Sequence, residues 1–158
     1  MFMRAKWFFV ALVLSIFAMA AAAPRRLNNF ESLMKSLQSG HIVKVVIEYG
    51  KCKLEIDGQA QPAPEAIGGV KFEPWEYFAK GVVRNDKAYV VSSETVLISS
   101  ARYGHVYNYV RVRIYEDQTV EITAKYLKTG SFEVVMDETF RGTISTGKDK
   151  NGVHLWQQ

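Results

Sequence analysis

The chain has 158 residues, a formal net charge of +4 and a single cysteine, Cys52. That length accommodates one domain, and one cysteine rules out an intrachain disulfide framework, so stability has to come from a hydrophobic core. Arg4 and Lys6 supply two of the positive charges; without the first 22 residues the net charge falls from +4 to +2, too little for a nucleic-acid-binding stripe.

The N-terminus carries Arg4 and Lys6 and no acid, followed by an apolar run over residues 7–17 broken only by Ser15. This is the charge-then-apolar order of a signal peptide, and the run is shorter than the ~20 residues that span a bilayer. Ala18-Met19-Ala20 and Ala20-Ala21-Ala22 both fit the small-x-small cleavage pattern, whereas cutting after Ala23 would place Pro24 against the scissile bond. No cysteine follows directly, which excludes a lipoprotein anchor. Residues 1–22 are therefore expected to be a signal peptide, leaving a single exported β domain over residues 23–158, periplasmic or secreted, with no membrane span. An uncleaved anchor is the alternative.

The first element of that domain reads as a helix. Asn28 is placed to cap it, with Glu31 completing a capping box; Phe30, Leu33, Met34 and Leu37 line one face, and Gly40 supplies the stop. From Ile42 the period changes to two. Val43, Val45 and Ile47 share one face, then Cys52, Leu54 and Ile56 do the same. A two-residue turn at Tyr49-Gly50 would pair Ile47 with Cys52 and Lys44 with Glu55, matching both faces of a hairpin. Residues 57–69 read as a long loop, and residues 70–83 as either a helical turn after Pro74 or a broken strand. Longer strands are expected over residues 87–99, 106–115, 120–127 and 132–144, and Asn151-Gly152 reads as a hairpin turn into a last strand. The fold class is mainly β, an antiparallel meander with one N-terminal amphipathic helix, closed as an up-and-down barrel or left as a strongly curved sheet.

Few side chains suggest chemistry. Cys52 alternates with Leu54 and Ile56, as a small buried hydrophobe would. His41, His105 and His154 have no partners at metal-ligand spacing and are expected in solvated or capping roles; no metal or other cofactor is implied. The stretch from Tyr107 to Tyr115 is more suggestive, because Tyr107, Tyr109, Arg111, Arg113 and Tyr115 fall on one strand face. With a three-residue turn at Glu116-Asp117-Gln118, Val112 faces Ile122 and Arg113 faces Glu121, and the Tyr/Arg face is a solvated ligand or partner surface. Pointed into a barrel, Arg113-Ile114-Tyr115 would instead have the Arg-x-Tyr spacing with which intracellular fatty-acid carriers hold a carboxylate. A further turn at Lys128-Thr129-Gly130 would set Asp137 opposite Glu121, a carboxylate pair of the kind hydrolases use, and would turn Glu138 toward the core.

The order of these motifs, Leu33 to Gly40, then VKVVIEYGKC over residues 43–52, Ala66-Ile67-Gly68-Gly69, and YVRVRIYEDQTVEITAKYL over residues 109–127, resembles the VirK family of small exported bacterial proteins. The resemblance covers residues 31–140. It implies export and an association with virulence or host interaction, and brings no catalytic residues. The leading expectation is a non-enzymatic protein acting through an unidentified protein or envelope contact. A lipocalin-like carrier of a small amphipathic ligand and a hydrolase using Glu121 and Asp137 are the alternatives.

Overall fold

The computed structural model describes residues 23–158; the expected signal segment, 1–22, lies outside them. Two antiparallel sheets share one hydrophobic core. The elements in chain order are β1 (Arg25–Leu27), α1 (Phe30–Gln38), β2 (Val43–Glu48), β3 (Lys53–Ile56), β4 (Gln59–Gln61), β5 (Ile67–Lys71), β6 (Trp75–Phe78), β7 (Tyr89–Ser100), β8 (Gly104–Tyr115), β9 (Thr119–Lys128), β10 (Val134–Thr143) and β11 (Val153–Gln157). The small sheet runs β1-β11-β2-β5 and the large one β4-β3-β10-β9-β8-β7-β6. Mainly antiparallel β with one α-helix is the expected class. The barrel alternative is corrected, because the large sheet ends in two free edges, β4 and β6, and does not close.

The helix begins one residue later than its sequence suggests. Asn29 is the cap, its side chain accepting from the Ser32 amide at 2.8 Å while the Ser32 hydroxyl accepts from the Asn29 amide. Gln118, in the β8–β9 turn, accepts from the amide of Phe30 at 2.8 Å, which fixes the entry of the helix against the large sheet. Leu33, Met34 and Leu37 join the core, and Gly40 leaves with φ +76°.

The largest correction concerns residues 43–56. Val43, Val45, Ile47, Cys52 and Leu54 are all buried, as alternation predicts. Yet β2 and β3 do not form a hairpin. β2 pairs with β11 and β5, and β3 pairs with β10 and β4. Tyr49–Lys51 is a 3-10 turn that carries the chain from one sheet to the other. Neither Tyr49 nor Gly50 takes the positive φ that a two-residue hairpin turn demands. That geometry is adopted downstream by Asp57 (φ 51°) and Gly58 (φ 75°), which close a β3–β4 hairpin inside the expected loop.

Asn151-Gly152 makes the same kind of exception. Both residues have negative φ, and β11 leaves β10 for the small sheet, keeping a single parallel bridge between Ile144 and Val153. The connecting loop is organised by Asp149, whose carboxylate accepts from the Thr146 hydroxyl and amide, the Asn151 amide and the Ser145 hydroxyl. Within residues 70–83 the broken strand is the outcome: residues 70–71 end β5, which begins inside the expected 57–69 loop, and residues 75–78 form the short strand β6 on the edge of β7.

Candidate functional site

The β8–β9 hairpin positions the Tyr/Arg face. Val112 pairs with Ile122, Ile114 with Val120 and Arg113 with Glu121, the register expected from the three-residue turn. Val112, Ile114, Val120 and Ile122 fill the space between the sheets, so their odd-numbered neighbours emerge on the outer face of the large sheet. Tyr107, Tyr109, Arg111, Arg113, Tyr115 and Glu121 all stand there, half-buried among one another. The Arg113-Ile114-Tyr115 clamp thus faces away from the interior, and the space a carrier's ligand would need is taken by Val90, Val112 and Ile114. That reading of the residues is corrected.

Glu121 is the hub of this face. Its side chain is 15% exposed and receives three arginines: Arg141 at 2.9 Å, Arg113 at 3.4 Å and Arg111 at 3.9 Å. Arg141 also binds Glu55 at 3.1 Å, and Arg111 donates to the Thr123 hydroxyl. Arg113 lies over the Tyr89 ring, 4.8 Å from its centroid, and donates to the Tyr115 hydroxyl at 3.3 Å, while its Nε is buried without a hydrogen-bond partner. Burial works against the Arg113 charge, but Tyr115, Glu121 and Tyr89 outweigh it and hold the guanidinium above its ordinary pKa. Three cations around two carboxylates leave this part of the sheet positive.

The pairing of Asp137 with Glu121 is corrected. Loop 129–133 turns at Phe132 (φ 58°), not at Gly130, and a register shift follows between Val134 and Met136. Arg141 lies opposite Glu121, and Asp137 lies opposite Lys125, bound to it at 2.8 Å. The two carboxylates are therefore four positions apart, about 13 Å along the strands, too far to act on one bond. Glu138 is half-buried on the inner face, beyond buried Phe140.

Beside the arginines, the 83–87 loop borders an open pocket of about 520 Å³, lined by Asn85, Lys87, Tyr89, Arg113, Tyr115 and Arg141. Asn85 holds the loop, donating to the carbonyls of Ala79 and Lys87, and Lys87 is tied to Asp117. A neighbouring hollow shares Lys87, Tyr115 and Arg141 and adds Lys51 and Lys53. Toward the opposite end the face turns apolar. Leu97, Tyr107 and Leu127 lie in register across three strands, and Phe132 stacks on Tyr107 with ring centroids 5.9 Å apart. Leu97 and Phe132 are 59% and 65% exposed.

On the outer face of the small sheet, His154 departs from the solvated or capping role expected of it. Its Nε2 meets Glu48 at 2.6 Å and its Nδ1 meets Arg26 at 3.2 Å. Because arginine can only donate, Nδ1 accepts and Nε2–H donates to Glu48. Hydrogen bonds to Lys51 and His154 pull the Glu48 carboxyl below its ordinary pKa. The line resembles the orienting half of a catalytic dyad, but Nδ1 is held by a cation and faces no nucleophile. Its members come together only because β11 pairs with β1 and β2, a contact with no local signature. Cys52 is buried as expected, and burial raises its thiol pKa. Among the described residues no group of three His, Cys, Asp or Glu side chains is arranged to hold a metal ion, and no helix is long and apolar enough to cross a membrane.

The fold and this face define a small two-sheet β protein with an arginine- and tyrosine-rich outer surface. The family model "VirK protein" matches residues 26–132, more than half of the chain. The chain belongs to the VirK family. Its fold is similar to that of a VirK family protein from Legionella pneumophila, with a TM-score of 0.64 at 17% identity over 82% of this chain and 97% of the other. No curated protein matches it in sequence.

Proposed function

We propose that this VirK protein is exported and acts without catalysis, through a protein or envelope contact made by the outer face of its large sheet, in the association of a bacterium with its host. The observation that carries this reading is the convergence of Tyr107, Tyr109, Arg111, Arg113 and Tyr115 on one half-exposed face, continuous with the exposed Leu97 and Phe132. Tyrosine and arginine dominate the energetics of protein interfaces, because each joins a large flat contact area to hydrogen-bond donors. The positive excess around Glu121 favours an acidic partner surface. Support for export comes from residues 1–22, with their cationic start, apolar run and small-x-small sites.

Two measurements test the reading. Fractionation of the producing cell with intact-mass analysis should find the protein outside the cytoplasm, starting at residue 21 or 23. A product that keeps Met1 and stays in the cytoplasm would end it. A photo-crosslinking residue at Tyr109 should then give a discrete adduct in living cells, and one at Lys44, on the small sheet, should not. Equal yields at both positions would remove the outer face from the proposal.

A further inference from the structure

The molecule's most unusual edge is on β7. Its first four residues, Tyr89 to Ser92, are covered by β6, which ends with Trp75 opposite Ser92. Residues 93–100 continue for eight more positions, hydrogen-bonded to β8 on one side and, among the described residues, to no backbone on the other. The remaining edges are guarded. β1 and β4 have three residues each, and β1 presents Arg25 and Arg26. β5 has five, two of them glycines, and ends on Lys71, and β6 has four and follows Pro74. The free part of β7 has no proline, no lysine and no bulge, and Glu94 is its only charge. Proteins rarely leave such an edge open, because its unpaired amides and carbonyls are a template for another strand.

The side chains specify which strand. Val96 is 42% exposed on the inner face and Leu97 is 59% exposed on the outer one. Consider a second copy laid antiparallel with a two-fold axis at Leu97. Leu97 then meets Leu97, Val96 meets Ile98, Thr95 meets Ser99 and Glu94 meets Ser100. Apolar residues meet apolar, polar meet polar, and the two Glu94 carboxylates stay apart. Shifting the axis to Val96 puts Glu94 against Ile98 and Thr95 against Leu97, which breaks the match. We propose that the chain forms a symmetric dimer by pairing the free edges of β7 across Leu97, joining two seven-stranded sheets into one. The contact is isologous, so it closes on itself and does not propagate. It would also set the two exposed Leu97–Tyr107–Leu127 patches side by side.

The test uses the protein recovered from its producing cell. Seven residues a side make a small interface, so sedimentation should show a dimer at about 100 µM that dissociates by about 1 µM. Leu97→Cys should form an intermolecular disulfide quickly under mild oxidation, since facing residues in antiparallel strands lie about 4.5–5.5 Å apart. Ser131→Cys, on an exposed loop, should not, and buried Cys52 does not compete. Leu97→Lys and Leu97→Glu should each be monomeric, and their equimolar mixture should regain the dimer. Leu97 is on the surface, and unfolding midpoints near wild type would confirm that both variants fold. A wild-type chain still monomeric at about 1 mM overturns the proposal, as does a dimer indifferent to both charges. Either result would leave the edge to a different protein's strand.

Discussion

The segments 43–56 and 112–122 look alike in sequence: each has two alternating apolar runs joined by a short polar turn, and each sorts cleanly into two faces. One is a hairpin, and the other is a crossing between sheets. In β8–β9 the turn residues allow tight closure, with Gln118 in the left-handed region at φ 72°, and the strands pair as their faces require. In β2–β3 the turn cannot close that way. The same apolar faces are buried, but from different sheets. Alternation therefore tells which side of a strand is buried, and turn chemistry decides what the strand pairs with.

Glycines sharpen this contrast most. A Cβ on Gly152 would lie 2.6 Å from the Glu48 carbonyl oxygen and 2.9 Å from Lys51 Cβ, where the entry to β11 packs against the crossing. Gly152→Ala is expected to cost about 2–3 kcal/mol in urea melts. The atoms nearest a Cβ on Gly50 belong to the carboxylate of Glu65, the far end of an exposed side chain that can swing aside, so Gly50→Ala should cost less than about 0.5 kcal/mol. A hairpin at Tyr49-Gly50 would reverse that order.

Within the true hairpin, Val112→Ala opens a cavity in a fully buried position and should cost about 1–3 kcal/mol. Arg113→Ala removes a partly exposed ion pair and a stack on Tyr89, and should cost about 0.5–1.5 kcal/mol. If the arginine proves the costlier of the two, its face is more than a surface.

The crossing can also be probed without changing its packing. Cys52 should react with a thiol reagent at least about tenfold more slowly in the native protein than in denaturant, because it is buried and its thiolate is disfavoured. Native labelling at the unfolded rate would mean that the crossing opens freely.

The smallest effect concerns the second sheet switch. Hydrogen bonds from the Thr146 hydroxyl and amide, with those from Asn151 and Ser145, hold the Asp149 carboxyl far below its ordinary value of 3.8. A depressed folded-state pKa contributes stability that is present above the unfolded value and lost as the pH falls through the folded one. Asp149→Asn should therefore be less stable than wild type at neutral pH, and the gap should narrow only once the pH drops below 3.8. A gap that is independent of pH would remove the carboxylate's charge from the account.

Which faces are buried, the register of β8 on β9, the single helix with its glycine stop, and the shared outer face of Tyr107, Tyr109, Arg111, Arg113, Tyr115 and Glu121 were all legible in the sequence. Each of these depends on neighbours a few residues apart, where period and turn length act directly. Tertiary structure alone decided that β2 and β11 join β1 and β5 in a second sheet, that Arg26, Glu48 and His154 meet, and that Glu121 answers to Arg141 and not to Asp137. Those contacts link positions 19 to 132 residues apart. They follow from how two twisted sheets share one core, and the loop turning at Phe132, with the register shift at Val134–Met136, moved a carboxylate four positions along its strand.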